Sequence, residues 1–278
     1  MLNRYIRVRV VLSVACFSLV SSYVYVYGQR LSDEMSSEMS VAVSLMESHQ
    51  DSAMTISWDI WRRAEATDDL WLMGVVRSFL AYQGAQVGDI EMGYMNFRSA
   101  LDLLIRADTL DYYNLSIVFG NLGIIHADFN DNERAIEYFE QALNYTELYL
   151  MEYPDGSLRK TFRVDRDSYL FSIAVERSKS GDFMASQEIL LRLLNDEMSD
   201  NVSLRDEVLN ELGIISMRLK EYSRSREYFL EVINNNQVDE IDKGNAYHNL
   251  GTVSSQLNDW EEAKGFYRLA LETSMGKR

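Results

Sequence analysis

The side chains that could do chemistry in this sequence are three histidines, one cysteine and an excess of carboxylates, 43 Asp and Glu against 27 Lys and Arg. A metal centre or a nucleophilic triad needs such groups at set separations. His49, His126 and His248 stand in no HExxH, paired-cysteine or facial-triad spacing. Cys16 lies inside an N-terminal apolar stretch, which leaves the folded part without a disulfide, a thiolate metal ligand or a cysteine nucleophile. Nucleophile-elbow, Walker-type and GxGxxG segments are absent. Asp128-x-Asn130-x-Asn132 opens like a calcium loop. Glu133 then stands where such a loop needs glycine, and Phe139 where it needs a bidentate glutamate. The segment therefore reads as a turn between helices. No carboxylate pair is singled out by spacing, so a solvated acidic face is the default. The chain is expected to be no enzyme and to need no cofactor and no metal.

The N-terminus has a different character. Arg4, Arg7 and Arg9 precede a largely apolar run from Val10 to Tyr27, and Gly28-Gln29-Arg30 follow. Basic, apolar and small residues in that order are the pattern of a secretory signal. Cleavage after Gly28 is expected. Retention of residues 10–27 as a membrane anchor is the second reading, and lipidation at Cys16 the third. The division is thus 1–28, signal or anchor, and 29–278, the folded domain. The location implied is exported, periplasmic or at the cell surface, with the membrane touched only through the N-terminal segment. The first 28 residues hold three cations and no acid, so the remainder is more negative than the −16 of the whole chain. Such a surface repels phosphate backbones and argues against nucleic-acid partners.

The rest of the chain must be read for what positions its side chains. One proline, Pro154, and 14 glycines in 278 residues favour long helices. A pattern of small and aromatic residues recurs. It runs Gly123, Ala135, Phe139, Ala142; again Gly213, Ser225, Phe229, Val232; and again Gly251, Ala263, Tyr267, Ala270. Weaker copies are Ala81, Gly93, Phe97, Ala100 and Ala174, Ser186, Leu190, Leu193, and a degenerate unit with Ala53 and Ile60 precedes them. The last three members of each copy lie on one helix face. The step of 12 before them crosses a turn, marked by Gly88-Asp89, Asn130-Asp131, Gly181-Asp182 and Asn258-Asp259. Lys220-Glu221 is a poorer turn at the same place.

The cores NLGIIHADFNDNERAIEYFEQAL, ELGIISMRLKEYSRSREYFLEV and NLGTVSSQLNDWEEAKGFYRLAL resemble the tetratricopeptide repeat (TPR) family, with the resemblance running from about residue 40 to 275. It implies an all-α, right-handed α-solenoid of five to six helix pairs that share one apolar interior. The anchors Ala81, Gly123, Ala174, Gly213 and Gly251 lie 42, 51, 39 and 38 residues apart, more than the basic repeat. The largest excess predicts a helix running on through NYTELYLME to a turn at Pro154-Asp155-Gly156, with a hinge or recognition loop over about 153–162.

In such solenoids the first helix of each pair lines a concave groove. On that resemblance Tyr82, Gln86, Asn121, Asp128, Lys179, Glu207, Asn210, Arg218, Asn245, His248, Asn249 and Gln256 are the candidate partner-binding residues. Asparagine amides suit the N–H and C=O of an extended peptide. The row in which some family members carry a carboxylate-gripping Lys holds Gly120, Phe171, Asn210 and His248, so that mode of binding is not expected. The leading function is an interaction scaffold for a protein or peptide ligand, in envelope assembly or sensing. The alternative is glycan binding on Trp58, Trp61 and Trp71. Oligomerisation through the C-terminal helix pair is a further expectation.

Overall fold

The computed structural model describes residues 33–45, 48–154, 156, 158–195, 202–235 and 238–275. The signal or anchor segment, Cys16 included, lies outside them. Among the described residues twelve α-helices follow one another and no strand occurs. They are α1 (Asp33–Leu45), α2 (Gln50–Ala66), α3 (Leu70–Gln86), α4 (Ile90–Arg106), α5 (Tyr112–Asp128), α6 (Asn132–Glu152), α7 (Arg159–Lys179), α8 (Phe183–Asn195), α9 (Val202–Arg218), α10 (Tyr222–Asn234), α11 (Glu240–Gln256) and α12 (Trp260–Met275). By compactness the chain divides into a unit ending at Tyr169 and a unit beginning at Leu170. The boundary falls within α7.

Each helix follows from its sequence. In α4 the buried set Gly93, Asn96, Phe97, Ala100, Leu103 and Leu104 repeats at three and four residues, which makes one apolar face. Asp69, Asp89 and Asp111 cap α3, α4 and α5 by accepting the amide N–H three residues on. The second helices touch the first through the small residues of the repeat. A Cβ built on Gly123 would meet the Phe139 ring at 2.7 Å, one on Gly213 the Phe229 ring at 2.6 Å, and one on Gly251 the Tyr267 ring at 2.7 Å. Glycine is needed there because the aromatic ring lies against the helix backbone. Where serine replaces alanine it reaches across instead: Ser186 Oγ donates to the Ala174 carbonyl at 2.6 Å and Ser225 Oγ to the Gly213 carbonyl at 2.8 Å.

The turns share one geometry. Gly88, Asn130, Gly181, Lys220 and Asn258 all have positive φ, and the next residue's N–H bonds the carbonyl five residues back. The same turn also joins α2 to α3, with Asp68 at φ 52° and the Asp69 N–H on the Ala64 carbonyl at 3.1 Å. That connection lies between pairs, and the repeat pattern gives no sign of it.

The excess length after Ala142 is placed as expected. Both α6 and α7 run 21 residues, and α6 ends at Glu152 just before Pro154. The connection is shorter than the reading of 153–162, because α7 begins at Arg159. Phe162, fully buried, stacks on Tyr149 with ring centres 3.7 Å apart, and this burial draws residues 159–162 into the helix.

Candidate functional site

The first helices of the pairs are the elements that would carry a groove, and the two units treat them differently. In the first unit, α5 is buried continuously from Tyr113 to Gly123. Little polar surface is left on it. Asn121 is only 7% exposed and its amide donates to the Ile117 carbonyl at 2.8 Å, while Tyr82 on α3 is 5% exposed. Both therefore differ from the groove exposure expected of them. Both helices are buried over most of their length, and their few polar side chains are largely covered. Asp128 is exposed at the end of α5. The side chain of Gln86 lies outside the described set.

In the second unit the candidates sit on α7, α9 and α11. Glu207, Asn210, Asn245 and Asn249 are half-buried, and Lys179, Arg218, His248 and Gln256 are exposed. Asn249 Nδ2 donates to Asn210 Oδ1 at 3.3 Å, which joins α9 to α11. The bond leaves an NH2 group on Asn210 and a carbonyl on Asn249, the two groups a peptide unit needs. Lys179 is ion-paired to the buried Glu176 one turn earlier, so its charge is already matched. Gln256 accepts from the Tyr222 hydroxyl at 3.4 Å. The ring of His248 lies 5.4 Å from that of Tyr267. Two further carboxylates, Asp206 and Glu211, are buried nearby on α9. Burial pushes the Asp206 carboxyl up, and the Asn235 amide that bonds it at 2.9 Å works against that rise.

Other residues with chemical potential have structural roles. His126 is buried, with Nδ1 3.0 Å from an Asp131 carboxylate oxygen and its ring between Tyr138 and Tyr94. The bond from His126 holds the Asp131 carboxyl below its usual range. Asn130, within the calcium-like segment, takes the left-handed turn conformation that a helix C-terminus asks for. Trp71 and Trp61 are buried, Trp71 donating from Nε1 to Asp111 at 2.8 Å and Trp61 lying under the Arg77 guanidinium at 4.0 Å. Only Trp58 of the three expected platform residues is as much as 39% exposed, and it meets Trp61 edge-on.

Asp165 escapes a reading based on spacing. It stands on the first turns of α7, partly buried, and desolvation pushes its carboxyl up to about 7. One turn on, Tyr169 lies across Gly120 of α5, where a Cβ would come within 2.5 Å of the ring, and its hydroxyl donates to the Ser116 carbonyl at 3.1 Å. Gly120 in the ligand-facing row is the only sequence sign that something large covers that position.

Stacked antiparallel helix pairs, each with a small residue on one helix and an aromatic or aliphatic residue facing it, define an α-helical repeat protein. Tetratricopeptide-repeat family models match residues 118–147 and 244–274, the two segments that hold the Gly123–Phe139 and Gly251–Tyr267 contacts. The chain carries tetratricopeptide repeats over these two segments, within an all-α repeat fold. No curated protein matches it in sequence. Solved structures of the same fold include BtubC (BKLC) from P. vanneervenii, with TM-score 0.64 and 17% identity over 84% of this chain and 92% of that one. PilW, a type IV pilus biogenesis factor, has TM-score 0.59 and 14% identity over 85% and 91%. The Rap conjugation gene regulator of plasmid pLS20, solved with the Phr* peptide, has TM-score 0.56 and 10% identity over 76% of this chain and 56% of that one. At these identities the likeness is one of fold.

Proposed function

We propose that this protein is a binding scaffold that receives an extended segment of a protein or peptide partner on the first helices of its second unit. One observation carries the reading: Asn210 and Asn249, on successive first helices, are held together at 3.3 Å with half-buried amides. Amides fixed in that way lose little conformational freedom when they bond a peptide backbone. Asn245 and Glu207 flank them as polar contacts. The peptide-bound Rap regulator shows a protein of this fold in complex with a peptide. The workplace proposed is outside the cytoplasm, at the periplasm or cell surface, on the strength of the basic, apolar and small-residue order of residues 1–28. A role in envelope assembly or in sensing would suit both features.

The test is a pull-down from the native envelope with the chain beginning at Gln29, repeated with Asn210→Ala/Asn249→Ala. Partner capture should fall about tenfold or more, since each lost amide bond is worth about 1 kcal/mol and the pair acts together. The circular dichroism spectrum and thermal midpoint should stay close to those of the parent. Undiminished capture by the double variant would refute the groove, and retention of the full chain in the cytosolic fraction would refute the location.

A further inference from the structure

Arg77, the single charged residue of α3, stands where the repeat asks for an apolar side chain. The offsets that carry Ala81 to Gly123, Ala174, Gly213 and Gly251 carry Arg77 to Phe119, Leu170, Leu209 and Tyr247. Phe119 and Leu209 are buried, and the rings of Phe119 and Tyr247 stack on Tyr145 and Phe266 of the helices that follow them. In the α3–α4 pair a guanidinium takes that place instead. Its carbon lies 4.0 Å from the ring centre of Trp61 and 5.3 Å from that of Trp58, both on α2. Its Nη1 donates to Asn96 Oδ1 of α4 at 2.8 Å.

A cation taken out of water is normally compensated by a counter-charge. Arg77 is half-buried and has no ion pair among the described residues. Glu65, exposed one turn beyond Trp61, acts on it through space, but that pull is smaller than the desolvation that lowers the Arg77 pKa. The other charges on this part of α2 are matched. Asp59 meets Arg62 and Arg63 at 3.3 Å, and Arg63 also meets Glu38. On α4 the charges flanking Asn96 are Glu91 and Arg98, both exposed, and Asp102 is paired with Arg106 at 3.0 Å. Arg77 Nε is enclosed and bonds nothing. Nη2 also bonds nothing among the described residues but is not enclosed, so it is the end that a ligand can reach. Beside it, Trp58 is 39% exposed.

We infer that Arg77 and Trp58 form a site between α2 and α4 for a small carboxylic acid of one negative charge, whose carboxylate bonds Nη2 and whose ring covers the Trp58 indole. The guanidinium edge matches a carboxylate in geometry and charge. The indole accepts a flat aromatic ring or the C–H face of a sugar alike, so aromatic acids and uronic acids share the required chemistry. A single charge suits a chain of net charge −16, which repels polyanions more strongly. The ligand supplies the counter-charge that the fold leaves out. This site belongs to the first unit and does not depend on the Asn210–Asn249 amides of the second.

The experiment titrates the protein with phenylacetate and with glucuronate, and with phenylacetamide and glucose as their uncharged counterparts. Tryptophan emission and calorimetry read the binding. At least one of the acids should bind with Kd on the order of 0.1–1 mM, and its uncharged counterpart about tenfold or more weakly. Arg77→Met restores the apolar character that the other pairs have at this place. It should abolish binding while the thermal midpoint holds or rises. Arg77→Lys keeps the charge and loses the fork, and should weaken the acid about tenfold. Trp58→Ala should weaken it too and leave the helical spectrum unchanged. Binding of phenylacetate alone assigns the site to aromatic acids and binding of glucuronate alone to uronic acids, and either result supports the inference. Equal binding by the parent and Arg77→Met would overturn it, as would equal binding of an acid and its uncharged counterpart. So would preference for inorganic phosphate over both acids, or failure of both acids to bind up to about 10 mM.

Discussion

At the scale of single residues, Asp165 is the most informative group. Its carboxyl goes from an ordinary 3.8 to about 7 because burial disfavours the charged form. Between those values the folded state holds a proton that the unfolded chain has released. Stability therefore declines as pH rises from about 4 to 7 and stays reduced above. Asp165→Asn removes the titration. The variant should gain on the order of 2–4 kcal/mol over the parent at pH 8, given about 1.4 kcal/mol for each tenfold change in proton affinity, and nothing at pH 4. Denaturant unfolding at the two pH values measures the difference, and an equal effect at both would remove desolvation as the cause. Residues of this kind are the least legible from sequence. Asp165 looks like any other acid in an acidic chain, and its burial depends on how neighbouring helices pack around it. Asn121 and Tyr82 escape for the same reason. Their helical positions fit a groove, whereas the cover over α3 and α5 comes from neighbouring helices and leaves no mark on the spacing.

At the scale of helices and turns, the sequence is most legible, because the repeat states its contacts several times over. Gly123 with Phe139, Gly213 with Phe229 and Gly251 with Tyr267 are the contacts that the recurring steps imply. Gly123→Ala tests them. Alanine favours the helix by about 1 kcal/mol over glycine, but its Cβ would stand 2.7 Å from the Phe139 ring. Overpacking of a filled core costs about 1–3 kcal/mol, so a net loss of up to about 2 kcal/mol is expected in urea unfolding. A gain would mean that Phe139 moves aside freely. The turns give the opposite case. Lys220 holds φ 64° where two equivalent turns use glycine at 83° and 88°. Left-handed backbone is disfavoured for a residue with a Cβ by about 1–2 kcal/mol. Lys220→Gly should raise stability by about 0.5–1 kcal/mol after the added freedom of the unfolded chain is counted. Gly181→Lys should lower it by about the same amount, and the pair of thermal midpoints checks both signs. The α2–α3 connection is not legible, since Asp68-Asp69 sits outside the repeat that marks the other turns.

At the scale of the whole molecule, charge is the property that the repeat does not determine. A net charge of −16 gives the compact state a self-repulsion that unfolding relieves. Ion pairs act against it, among them Arg226–Glu262 at 2.6 Å and Arg106–Asp102 at 3.0 Å. Pairs exposed at the surface contribute about 0–1 kcal/mol each, and salt weakens them as well. The two effects therefore predict opposite responses to ionic strength. Repulsion acts between many carboxylates at separations comparable with the Debye length, about 10 Å at 0.1 M, and it is strongly cut as that length falls to about 3 Å at 1 M. Contact pairs at 2.6–3.3 Å are screened less. Added sodium chloride should then raise the thermal midpoint, by a few degrees between about 0.05 and 0.5 M. That range spans a Debye length from well above to well below the spacing of surface charges. A midpoint that falls over this range would show that local pairing, and not net charge, sets the electrostatic contribution to stability. Lys264→Glu/Arg268→Glu replaces two cations with two anions, and the same scan on it should show a steeper rise. The substitution enlarges the repulsion and leaves the ion pairs named above untouched.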